Sequence, residues 1–183
     1  ECYHGVISMD HSLEGALRIN DDVVTFKCGK GYIEKDWGKS FPRAYVWLQS
    51  NHFSNQSTSF MFSYADIPFL GLYFKGLIAN LLYEGKEYRF ATYNFSRVKK
   101  EILHKDEVIY HLKKGAFRLE IHAKTKDQLS LPSPKDGMMI QKIKEGLKGT
   151  IHLKLYRRNQ LICDDIGIHS GIEIMKDPRK DTR

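Results

Sequence analysis

The chain predicts an all-β fold, an antiparallel meandering β-barrel with few or no helices. Two observations carry this: short segments of alternating polarity recur along nearly the whole length, and tight polar turns such as Asn20-Asp21-Asp22, Glu84-Gly85-Lys86 and Arg158-Asn159-Gln160 join them. A third is composition, since Tyr and Phe contribute 10 residues each, and rings favour strands and ligand pockets. Closure into a barrel is the economical end for many such strands, because it removes exposed edges.

Taken in order, strands are expected at Tyr3 to Met9, Leu13 to Ile19, Val23 to Phe26, Gly31 to Lys35, Ala44 to Phe53, Ser59 to Ile67, Gly71 to Tyr83, Glu87 to Thr92 and Arg97 to His104. The clearest pair follows, with Val108, Tyr110 and Leu112 on one face and, after Gly115, Phe117, Leu119, Ile121 and Ala123: an antiparallel hairpin. Lys126 to Gly137, with Pro132 and Pro134, reads as a long irregular loop of the kind that caps a mouth. Met138 to Gly149 reads as a short helix or an extended cover, and strands resume at Ile151 to Arg158, Leu161 to Ile166 and Gly171 to Ile174. One domain, residues 1–175, is expected, followed by a charged, frayed tail at 176–183. The chain opens on Glu1 rather than Met and is in strand almost at once, which reads as the interior of a longer polypeptide.

The formal charge of +7 is spread among acids, as between Arg97 and Lys124, with no basic run and no nucleic-acid motif. That pattern argues against nucleic acid and leaves peripheral contact with an anionic membrane as an expectation. The cysteines, Cys2, Cys28 and Cys163, are odd in number and far apart, so a disulfide framework is not expected and a cytoplasmic setting is. No long apolar run, phosphate loop, nucleophile elbow or dinucleotide fingerprint occurs. The eight histidines lack metal-site spacing, so neither metal nor cofactor is expected. His4, His11 and His52 are the candidates for hydrogen bonding in a pocket.

Gly31 to Phe53, GYIEKDWGKSFPRAYVWLQSNHF, is the segment whose chemistry exceeds the needs of a core. On a strand, Tyr45, Trp47, Gln49, Asn51 and Phe53 share one face, a mixture of rings and amides that suits a cavity wall. Tyr32, Glu34 and Asp36 share another face. If both carboxyls enter an apolar lumen, desolvation and mutual repulsion hold a proton on one of them near neutral pH, making a general acid. The ordinary alternative is a rim position with Glu34 and Asp36 paired to Lys30, Lys35 or Lys39.

GYIEKDWGKSFP followed by WLQSNHF, preceded by YHGVISMDHSLEG and followed by HSGIEI, resembles the bacterial tocopherol cyclase-like proteins. The resemblance implies a lipocalin-like barrel, here the C-terminal half of a two-domain protein, handling an isoprenoid or prenylquinol without a redox cofactor. It implies a proton-initiated cyclisation or hydration of a prenyl double bond, the work of an intramolecular lyase or a hydratase, with Glu34 or Asp36 as acid. Tyr32, Trp37, Tyr45, Trp47 and Phe53 would then shelter a cation, and Gln49, Asn51 and His52 would hold polar groups of the ligand. A non-catalytic lipid-binding module, or a structural module packed on a partner domain, stays open beside it.

Overall fold

The computed structural model describes residues 2–177. Residues 178–183 of the expected tail lie outside the described residues; of the tail's start, Asp177 is buried and lies 3.8 Å from the Arg43 guanidinium.

Among the described residues the regular structure is strand, apart from one 3-10 turn at Thr92–Asn94. Two long strands, β1 (Cys2–Ile19) and β2 (Asp22–Gly38), form an antiparallel hairpin that is a sheet of its own. The four short strands expected here are two continuous ones. Their alternation is blurred by register shifts after Val6, Ser8 and Leu13, which mark bulges and make one strand read as two.

The second sheet comprises β3 (Tyr45–Ser50), β4 (Ser59–Phe69), β5 (Leu72–Tyr83), β6 (Lys86–Ala91), β7 (Arg97–Leu103), β8 (Glu107–Lys114), β9 (Phe117–Lys124), β10 (Leu129–Lys135), β11 (Met138–Arg157) and β12 (Gln160–Met175). Its order is β6-β5-β4-β3-β12-β11-β9-β8-β7, with β10 against β11. The expected hairpin at β8 and β9 is present, turning at Gly115 and Ala116.

Two expectations are corrected. The segment expected as an irregular loop contains β10, and the segment expected as a helix or cover is the start of the 20-residue β11. Pro132 and Pro134 suggested a loop, but β10 pairs with β11 alone, and an edge strand tolerates residues that cannot donate. Strand β11 pairs with β10 through its first half and with β9 through its second. At the changeover a Cβ on Gly149 would sit 2.4 Å from Ile172 Cδ1 and 3.0 Å from the Lys124 carbonyl, so the close approach there requires glycine.

The ladder is open, with β6 and β7 as its ends, so the closed barrel expected from the sequence is not what the pairing shows. The sheet does curl on itself: Phe62 of β4 meets Tyr110 of β8 at 4.7 Å between ring centroids. Near the ends of the sheet Tyr88 of β6 packs on the Phe117 ring of β9, and Lys114 Nζ of β8 donates to the Arg89 carbonyl at 3.0 Å. Side chains, rather than backbone ladder, span that seam.

The inside of the curl is full. Leu48, Phe60, Phe62, Leu81, Leu112, Leu119, Ile121, Ile151 and Leu153 are wholly buried in one cluster. A hollow enclosed by the sheet is the reaction chamber the sequence suggests; these side chains occupy it. Truncating one of the buried rings would cost about 3–5 kcal/mol.

Candidate functional site

Strand β3 uses both of its faces, because successive side chains point opposite ways. Val46 and Leu48 enter the core, while Tyr45 and Trp47 face outward into a cleft of about 440 Å³. The neighbouring strands treat that side alike: Ser63, Ala65 and Ile67 of β4, Phe74, Gly76 and Ile78 of β5 and Glu173 of β12 form its wall. The opposite wall comes from the β1–β2 hairpin, through Cys2, His4, Glu34 and Asp36. The cavity therefore lies between the two sheets, on the reverse of the face that packs the core. The Trp47 ring reaches across β12 over Gly171, which pairs with Gln49; a Cβ at that glycine would come within 2.8 Å of the indole.

One end of the cleft concentrates ionisable groups. Pairing of β1 with β2 sets His4 opposite Asp36, and their Nδ1 and Oδ1 atoms lie 2.7 Å apart. His4 Nε2 is buried without a hydrogen-bond partner, 3.8 Å from the Glu34 carboxylate. Glu34 accepts from the Tyr32 hydroxyl and, at 3.1 Å, from the Trp47 indole N–H, so one carboxylate ties the hairpin to β3. Across the cleft the Tyr45 hydroxyl donates to Glu173 at 2.7 Å.

Burial raises Glu34 above the usual carboxylate range, against the opposing pull of Tyr32, His4 and Trp47. Glu173 rises to about 7, chiefly through burial, opposed by the Tyr45 hydrogen bond and aided by repulsion from Glu145, Glu34 and Asp36. For His4, burial works against the charged ring, but the bond to Asp36 and the two nearby carboxylates win and its pKa is raised. Burial also pushes the Cys2 thiol up to about 11, which keeps it protonated and a poor nucleophile. The cleft thus holds a carboxyl group partly protonated at neutral pH and a histidine whose cationic form is stabilised by Asp36 and Glu34.

The structure brings Glu34, Asp36, Tyr45 and Trp47 to this cleft, with Tyr32 bonded behind Glu34. It does not bring the rest. Trp37, half exposed, stacks on Tyr3 at 5.5 Å, away from the cleft lining. Gln49 is partly buried with an unpartnered Nε2, Asn51 follows the end of β3, and exposed His52 bridges to Ile168 beside the His169 ring. Phe53 belongs to the core, its ring against Gly167. The expected five-residue face fails beyond Ser50 because the strand ends there and alternation ends with it.

His11 bonds to Ser8 over Gly31, outside the cleft. Sequence reasoning singled out His4 only generally and missed Glu173 and Cys2; the cross-strand register His4 to Asp36 and Glu173 to Trp47 would have found two of them. Ligand-capable atoms of His4, Glu34 and Asp36 lie within 4.8 Å of one another. Hydrogen bonds to each other and to Tyr32 and Trp47 engage most of these atoms.

The family model described as tocopherol cyclase-like matches residues 4–175, the whole of both sheets but for Cys2 and Tyr3. The chain belongs to the tocopherol cyclase-like family. Comparison with curated proteins and with solved structures finds no match. The segments GYIEKDWGKSFP and HSGIEI thus acquire a shared role in this tocopherol cyclase-like chain: the first supplies Glu34 and Asp36, the second Glu173, and together they face each other across one cavity.

Proposed function

We propose that this tocopherol cyclase-like protein binds a hydrophobic isoprenoid or prenylquinol in the cleft between its sheets and protonates a prenyl double bond there, leading to cyclisation or hydration. The observation that carries the reading is one cleft in which apolar walls, Ile67, Phe74, Leu77 and Ile78, end on Glu34, Asp36, His4 and Glu173. An alkene is a weak base, so its protonation needs an acid out of water and a cation-tolerant surrounding. Tyr45 and Trp47 present ring faces for that cation.

In this reading Glu173 is the donor, since burial keeps it partly protonated at neutral pH and it has Tyr45 as its hydrogen-bonding side-chain partner. Its proton adds to the less substituted alkene carbon, the tertiary cation forms at the other, and the quinol oxygen bonds to it while releasing its own proton to a carboxylate of the site. The sum is an isomerisation with no change of oxidation state and no cofactor. With water as the nucleophile the product is a tertiary alcohol. Asp36 and His4 form the pair that receives and returns the proton, and Glu34 fixes Trp47 at the ring-bearing wall.

The test is turnover of a prenylquinol alongside binding followed by Trp47 fluorescence. Glu173→Gln is expected to lower turnover at least a hundredfold with binding kept, the scale on which a general acid contributes. Full turnover in both Glu173→Gln and Glu34→Gln would end the proposal. One observation favours a second reading, non-catalytic lipid binding: Glu34 already holds two donors, the pattern of a structural lock. Tight binding with no product in the wild type would select it. We also read the curled sheet as a lipocalin-like barrel with a side-chain seam, working beside a second such domain of the same polypeptide in a cytoplasmic, membrane-adjacent setting. Prenylated lipids copurifying with the intact protein would support that setting; their absence would count against it.

A further inference from the structure

The two-residue turns of the sheets are alike except one. Asn20-Asp21, Glu84-Gly85, Gly115-Ala116, Asp136-Gly137 and Arg158-Asn159 each begin with a polar residue or glycine. Between β4 and β5 the turn is Leu70-Gly71, closed by the pair Phe69 and Leu72. Leu70 holds φ +48 and Gly71 φ +78, the mirror-image turn that asparagine or glycine normally opens. A leucine there is costly twice, in backbone strain and in apolar surface left in water, since the residue is 86% exposed.

Its neighbours share the exposure. Phe69 is 62% and Leu72 76% accessible, with Tyr73 and Phe74 next along β5, so the hairpin end reads FLGLYF in open solvent. On a monomer such a patch marks an interaction site. Three residues on each side of the apex reach about 10 Å at the usual strand rise, comparable with the depth to which interfacial segments enter a bilayer.

A second hairpin shares the same rim. Pro68 and Tyr73 of the first and Lys135 and Ile140 of the β10–β11 turn border a further cleft of about 820 Å³, which shares Cys2, Phe41 and Pro42 with the candidate site. Met138, Met139 and Ile140 are each more than half exposed. Around them Lys39, Lys135, Lys142 and Lys144 are exposed, whereas Asp66 is paired with Arg43 and Lys75, and the Asp136 carboxylate accepts from the Ser40 hydroxyl at 3.5 Å. The Arg43 guanidinium stacks 3.5 Å over Tyr73, a cation and a phenol ring at the height of lipid headgroups if the tip is immersed.

We propose that the β4–β5 tip inserts into the surface of an anionic lipid bilayer, with Met138, Met139 and Ile140 beside it and the lysines against the headgroups. The apolar apex supplies the anchorage and the lysines the preference for negative lipid. The insertion places the shared rim of both clefts at the membrane, from which an apolar ligand would enter without crossing water. This goes beyond the catalytic reading and stands without it, since the tip residues Phe69, Leu70 and Leu72 line neither cleft.

Flotation of the purified protein with vesicles of phosphatidylcholine plus phosphatidylglycerol tests it, with no prenylquinol present. The wild type should float with these vesicles and far less with phosphatidylcholine alone. Leu70→Asn with Leu72→Thr should weaken binding roughly tenfold or more, the effect of withdrawing two leucines from an apolar phase. Asparagine suits the turn and threonine the strand, so melting should be unchanged or improved and misfolding cannot imitate the result. Equal flotation of variant and wild type, equal binding to neutral vesicles, or no flotation at all would overturn the proposal. So would a wild-type dimer that Leu70→Asn dissociates, which would assign the tip to a second copy of the chain.

Discussion

Replacing Glu173 by glutamine should change the pH dependence of stability in a way that isolates this one group. The Glu173 carboxyl is raised from an ordinary value near 4.5 to about 7, by burial first and then by Glu145, Glu34 and Asp36, with the Tyr45 hydroxyl opposing. Below about pH 4.5 folded and unfolded chains both hold the proton, so it adds no pH dependence. Between 4.5 and 7 the unfolded chain releases it and the folded one keeps it, so stability falls as pH rises. Above 7 the folded protein must bury the charge, and the loss has reached its full size, about 3 kcal/mol for a shift of this extent. Glutamine keeps the shape and a hydrogen bond to Tyr45 and carries no charge. Urea unfolding of wild type and Glu173→Gln across pH 4.5 to 8 should therefore give curves whose separation opens in the variant's favour, mostly between pH 5 and 7. A separation that stays constant across the range would refute the placement of Glu173 in a dry cleft facing other carboxylates.

Three further outcomes follow from the same geometry. Gly171→Ala should displace the Trp47 ring and break its bond to Glu34, lowering stability by about 1–3 kcal/mol and shifting tryptophan emission to the red. Asp66 is buried, yet its bonds to Lys75 and Arg43 outweigh burial and hold its pKa below the usual range. Its stabilisation is present above the ordinary value and lost as pH falls through the lowered one, so Asp66→Asn should cost about 2 kcal/mol near neutral pH and progressively less in acid melts. Phe62→Ala should cost about 3–5 kcal/mol by chemical denaturation while leaving the cleft's tryptophan environment unchanged, because its ring lies on the core side of β4.

What the sequence shows of the fold depends on how strictly each strand alternates. β8 and β9 alternate without interruption and are read correctly to within a residue or two. β10 hides behind Pro132 and Pro134, which a strand with a single neighbour tolerates, and β1 hides its continuity behind bulges. The shared face of Tyr32, Glu34 and Asp36 is legible because it rests on period alone, and the bond from Tyr32 to Glu34 follows from it. Glu173 and the pairing of His4 with Asp36 depend on register between distant strands, which one strand's own pattern does not carry. The Tyr45 and Trp47 face of β3 is legible as a cavity wall, but not that the cavity lies outside the curl, on the reverse of the face that carries Val46 and Leu48 into the core.

The cleft's two walls belong to sheets that share no ladder. Between Trp47 and the hairpin the tie is the hydrogen bond to Glu34, supported elsewhere by Ser59 to the Met9 carbonyl and Lys30 to the Gln56 and Thr58 carbonyls. A jaw hung this way can swing on the residues after Gly38 while every strand pair stays zipped, so accommodating a longer or bulkier guest need not loosen the core. Hydrogen exchange should then report β1 and β2 breathing well before β3, β4 and β12; simultaneous opening of all five would mean the jaw and its mount are one rigid body.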